Sequence, residues 1–115
     1  MAKKIKFDRA TTLGWVPVEG ISIGHLAVAE FSDDELSPSE WGVFHPITGT
    51  QIPTNHVILN KELAVSLAKT VGSLPDWVKI KRGKSNDPKD VVISKAVKTT
   101  LSRAVSRVVS KWMEV

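Results

Sequence analysis

From Asp87 to Val115 the apolar residues return with the period of an α-helix. Ile93, Val97, Leu101, Ala104, Val105, Val108 and Trp112 fall on one face at about 100° per residue. The start signal is Asp87 as N-cap and Pro88 at the first helical position, where a missing N–H costs nothing. Asp90 follows three residues after that cap, where a carboxylate meets the positive end of the helix. A continuous helix to the last residues would be roughly 39 Å long at about 1.5 Å per residue. Val and Thr are frequent in it and are only fair helix formers, so its apolar face requires packing, from this chain or from a partner.

The opposite face is cationic. Arg103, Arg107 and Lys111 stand at i, i+4, i+8 and stack into a column, with Thr99, Ser102, Ser106 and Ser110 as an adjoining column of hydroxyls. Lys95 and Lys98 carry the charge toward the helix start, and no acid occurs between Asp90 and Glu114. Cations beside short donors are what a phosphate backbone contacts: charge supplies affinity and the donors fix register. The competing reading is an ordinary solvated helix face, whose late basic residues complement the negative helix end.

The formal charge of +4 conceals a division of the chain. Residues 1–57 carry four cations against seven acids, and residues 58–115 carry twelve cations against five acids. Such asymmetry suggests polyanion binding, or head-to-tail association of acidic half with basic half. One domain is expected over 1–115, strands mainly in the acidic 1–57 and helices mainly in the basic 58–115. The absence of cysteine excludes disulfides and thiolate chemistry. No apolar run is long enough to cross a membrane, and Met-Ala-Lys-Lys-Ile-Lys has no apolar segment behind its charges, so a cytoplasmic chain without a signal peptide is expected.

Along the chain, Lys4–Asp8 alternates as a short edge strand, and Thr11–Gly20 reads as a loop or broken strand around Trp15 and Val16. Ile21–Phe31 reads as one strand, apolar on both faces and therefore central. Ile21, Ile23, Ala27, Ala29 and Phe31 face one way, Leu26 and Val28 the other, and Gly24 marks a bulge or close backbone approach. An acidic loop, Ser32–Ser39, follows. Glu40–His45 alternates, Pro46–Gly49 is a turn, and Thr50–Pro53 returns, so Trp41–Ile52 forms a hairpin that extends a meander. Asn60 caps a helix over Lys61–Val71, ended by Gly72. Ser73–Trp77 is a turn, Val78–Ile80 a short strand, and Lys81–Asn86 a basic loop. The expected class is α+β: a small antiparallel sheet of three to five strands packed by one short helix and one long C-terminal amphipathic helix.

Catalytic motifs are wanting. His25, His45 and His56 lie in separate segments without ligand spacing, so no metal and no cofactor are expected. Gly83-Lys84-Ser85 lacks the upstream glycine of a phosphate-binding loop. No nucleophile–base pair can be named, so no enzyme is expected. The tryptophans Trp15, Trp41, Trp77 and Trp112 are scattered and suit core or rim packing rather than a row for stacking single-stranded bases. Trp41–Gly49, followed by Asn60-Lys61-Glu62-Leu63-Ala64, resembles in outline small DNA-binding modules built from a three-stranded sheet and a helix, an architecture that by itself implies little about function.

The expected function is a non-enzymatic nucleic-acid-binding domain that contacts the phosphate backbone through Lys79, Lys81, Arg82, Lys84, Lys95, Lys98, Arg103, Arg107 and Lys111. The alternative is a protein–protein interaction module, an oligomer, inhibitor or adaptor of phage or mobile-element type, using the apolar face of the C-terminal helix.

Overall fold

The structure, a computed structural model, describes residues 3–32, 36, 38–54 and 59–113. His56, the acids Asp33–Glu35, and Glu114 and Val115 lie outside the described residues.

Strand β1 (Lys3–Thr11) runs past the short stretch expected, with buried Phe7 and Arg9 alternating with exposed Lys6 and Asp8. It pairs antiparallel along its whole length with β2 (Gly14–Ile23), so the stretch Thr11–Gly20, expected as a loop or a broken strand, is a tight turn at Thr12-Leu13 followed by an unbroken strand from Gly14. The turn is local chemistry. The Leu13 N–H donates to the Thr11 hydroxyl, that hydroxyl donates to the Gly14 carbonyl at 2.8 Å, and Gly14 takes a positive φ of 119°. Pro17, a residue that strand interiors usually exclude, lies opposite Asp8 in the half of β2 that pairs with β1 alone; β3 (Leu26–Phe31) joins only at Ile21–Ile23. A missing N–H is tolerated at such an edge.

The expected single strand over Ile21–Phe31 is two strands. Ile23 pairs with Leu26 across the two-residue turn Gly24-His25. That turn exchanges the faces: Ile21 lies opposite Val28, and Ile23 opposite Leu26, so both isoleucines share the face of Leu26 and Val28 rather than that of Ala27 and Ala29. The close approach expected at Gly24 is present. A Cβ there would lie 2.5 Å from the Gly72 carbonyl oxygen, which accepts the His25 N–H at 2.8 Å.

Strand β4 (Glu40–His45) pairs with β3 and with β5 (Thr50–Gln51), completing the order β1-β2-β3-β4-β5. The sheet curls until its ends meet, where the Ala10 N–H donates to the Gly49 carbonyl at 2.9 Å. Inside the curl Phe7, Phe31 and Phe44 pack with Ala27 and Ala29; both Phe7 and Phe31 set their rings 5.5 Å from that of Phe44. Gly42 leaves room there, since a Cβ would come within 3.1 Å of both the Phe31 and Phe44 rings. The outer face, with Leu26, Val28 and Val43, is covered by helices. The strand β3 is therefore buried on both faces, as its composition requires.

Helix α1 (Lys61–Val71) begins where expected: the Asn60 side-chain oxygen accepts the Leu63 N–H at 2.8 Å. It buries Ala64, Leu67, Ala68 and Val71 against the sheet. Pro75–Lys79 forms a 3-10 turn, which replaces the strand expected at Val78–Ile80. The short strand is instead β6 (Lys81–Arg82), paired with β7 (Val91–Val92). Helix α2 (Lys95–Met113) consequently starts seven residues later than the expected first helical residue, Pro88, and is about 28 Å long. Asp87 spends its carboxylate on the Lys89 N–H within a turn, and the Ser85 hydroxyl, together with the Ser85 N–H, holds the Asp90 carboxyl below the usual value. The cap is Ser94, whose hydroxyl accepts the Val97 N–H at 3.2 Å. No helix among the described residues is long and apolar enough to cross a membrane.

Candidate nucleic-acid interface

Four-residue steps divide α2 into rows. The inner row is Val97, Leu101, Val105 and Val109, all buried in the core beneath the sheet's outer face. Val109, absent from the apolar set chosen by periodicity, is the most buried of them at 1% exposure. Ala104, Val108 and Trp112 form a half-buried flanking row. Burial of these rows fixes the helix and thereby decides what faces water.

About 200° around from the inner row stands the outer row, Lys95, Thr99, Arg103, Arg107 and Lys111. Beside it runs Lys98, Ser102, Ser106 and Ser110. These two rows line one continuous open surface, and every member is exposed. It brings together five cations and four hydroxyls, and no carboxylate lines it among the described residues. Thr99 belongs to the cation row, not to the hydroxyl column in which the sequence reading put it; the i+4 step from Lys95 to Arg103 runs through it. Steps of four residues separate the cations by about 6 Å along the axis.

The other four basic residues expected to join this surface do not line it. Lys79 ends the 3-10 turn, Lys81 and Arg82 form β6, and Lys84 lies in the loop after it, all exposed. Arg82 has structural work. Its guanidinium stands 4.2 Å over the Trp15 ring and its Nε–H donates to the Ile47 carbonyl at 2.6 Å, while the Trp15 indole N–H donates to the Asn86 carbonyl. It ties the β1–β2 hairpin and the β4–β5 turn to the β6–β7 ribbon.

The chemistry of His45 is spent internally, whereas His25 is exposed. His45 is buried, its Nε2–H donates to the Trp77 carbonyl at 3.0 Å, and its Nδ1 accepts the Thr48 hydroxyl. Its ring lies 5.8 Å from that of Trp77. Burial lowers its pKa from the ordinary value, against the Trp77 carbonyl bond, which raises it. Among the described residues no group of three or more histidines and acids is placed to hold a metal ion. No protein-family model, curated protein or solved structure matches the chain.

Proposed function

We propose that the chain is a non-enzymatic nucleic-acid-binding domain whose phosphate contacts come from the outer rows of α2: Lys95, Lys98, Arg103, Arg107 and Lys111. The observation that carries this reading is the single exposed surface of cations and hydroxyls, free of lining carboxylates among the described residues. Hydroxyls at Thr99, Ser102, Ser106 and Ser110 add short donors that orient a backbone without reading bases. Binding is accordingly salt-dependent and weakly sequence-specific. Most of the apolar face that a protein partner would need is taken up within the chain, with Val97, Leu101, Val105 and Val109 buried and Ala104, Val108 and Trp112 half-buried, which favours the nucleic-acid reading over the interaction-module reading.

Replacing Arg103 and Arg107 together by alanine tests this. Both side chains are exposed, so the fold is expected to persist. Affinity for labelled duplex DNA falls alike for unrelated sequences, as loss of phosphate contacts requires. Unchanged affinity in the folded double variant contradicts the assignment.

A further inference from the structure

Under α2, on the side toward the β4–β5 hairpin, lies a cavity of about 340 Å³. Its walls come from segments far apart in sequence: Ile52, Trp77, Ile80, Val91, Leu101 and Val105. An apolar cavity of about 150 Å³ stays dry and accepts a benzene-sized guest, so this one has room for a larger hydrocarbon body. His45 and Thr48 contribute to the lining, but they satisfy each other: the imidazole uses one nitrogen on the Thr48 hydroxyl and the other on the Trp77 carbonyl. Neither ring nitrogen is left for a guest.

The edge of the cavity differs from its walls. Lys98, Ser102 and Ser106 line both the cavity and the basic surface of α2. Lys98 brings the single ammonium, and no carboxylate lines the cavity among the described residues. A nucleobase would set ring nitrogens and carbonyls around its whole edge against a lining that is mostly apolar, where hydrogen bonds are offered only by the exposed Thr50, Gln51, Lys98, Ser102 and Ser106. A plain hydrocarbon would leave the ammonium and the two hydroxyls unused. The chemistry that uses both parts is an apolar body ending in one anionic group.

We propose that this cavity binds a hydrophobic monocarboxylate, its hydrocarbon chain among Ile80, Val91, Leu101 and Val105 and its carboxylate on Lys98 and the hydroxyls of Ser102 and Ser106. The proposal shares Lys98, Ser102 and Ser106 with the nucleic-acid reading but does not rest on it, since the ligand is measured in the absence of nucleic acid.

Octanoate titrated into the full chain, followed by methyl and amide NMR shifts, tests it, with octan-1-ol as the uncharged control. Expected is saturable one-site binding with shifts at Ile80, Val91, Leu101 and Val105. Lys98→Ala weakens octanoate about tenfold, the loss of one charge-assisted contact, and leaves octan-1-ol unchanged. Ser102→Trp, at an exposed position that leaves the core intact, covers the opening and abolishes binding of both. The proposal is overturned if octanoate produces no saturable shifts, if Lys98→Ala binds it as well as the parent chain, or if the shifts follow the Arg103–Arg107 row and spare the cavity methyls.

Discussion

Gly72 follows α1 with φ −69°, a conformation open to any residue. On backbone entropy alone, alanine there stabilises by about 0.4–1 kcal/mol. The structure predicts the opposite sign. A Cβ would press on the Ala68 carbonyl oxygen and lie 2.8 Å from the Ile23 carbonyl oxygen, and both obstacles are backbone, which cannot swing aside. Overpacking of this kind costs about 1–3 kcal/mol. The turn beyond Ile23 has to shift, and this loosens the 2.8 Å bond from the His25 N–H to the Gly72 carbonyl, worth about 0.5–1.5 kcal/mol. Less the entropic gain, the net loss for Gly72→Ala is about 2 kcal/mol. In urea, with a slope of roughly 1–3 kcal/mol per molar, the midpoint falls by about 1 M. Tryptophan fluorescence is a suitable probe, because the Trp77 indole N–H donates to the Val71 carbonyl beside the altered position. Gly24→Ala breaks the same contact from the other side, so the double variant loses less than the sum of the singles. A midpoint for Gly72→Ala equal to or above that of the parent chain would refute the close approach of α1 to the β2–β3 turn.

Val109→Ala removes buried methyls from the inner row of α2 and destabilises by about 2 kcal/mol, whereas half-buried Val108→Ala costs under about 1 kcal/mol; equal losses in urea melts would mean that the helix is rotated from its described position. Burial keeps the native His45 ring less basic than the ordinary histidine value of 6.5. The unfolded chain therefore binds more protons below that value, so this contribution to stability is fully present above about pH 6.5 and is lost as pH falls. His45→Phe is less stable overall, because the Thr48 hydroxyl and the Trp77 carbonyl lose their partner, but its urea midpoint changes less between pH 8 and pH 5. An undiminished pH dependence in that variant would assign the titration elsewhere.

Local signals were read correctly where the chemistry is local. Asn60 as a cap, Pro46–Gly49 as a turn and the alternation of Glu40–His45 each depend on a few neighbouring residues. Sequence and structure part where local signals admit two outcomes. Asp87-Pro88 suits a helix start and a turn equally, and pairing of Val91–Val92 with Lys81–Arg82 decided for the turn. Ile21–Phe31 is apolar on both faces, so alternation gave no sign that Gly24-His25 reverses the chain. Pro17 and the flanking glycines concealed β2 because their acceptability depends on which edge lacks a partner. At the candidate site the cation column was visible as an i+4 pattern. The separation of Lys79, Lys81, Arg82 and Lys84 from it was not, since Arg82 is held by Trp15 and Ile47, far away in sequence. The cavity beside Lys98 was invisible for the same reason: its walls converge from the hairpin, the 3-10 turn, β7 and α2.

The most direct measurement is the salt dependence of binding to labelled duplex DNA, with single-stranded DNA and RNA alongside. Five phosphate contacts on α2 predict that log K falls against log salt with a slope of about −4.5 on duplex, and that the Arg103/Arg107 double alanine variant flattens it by about 1.8. No binding to any of the three at low salt, or an equal slope in the variant, would contradict the account and leave the basic rows of α2 as a solvated face.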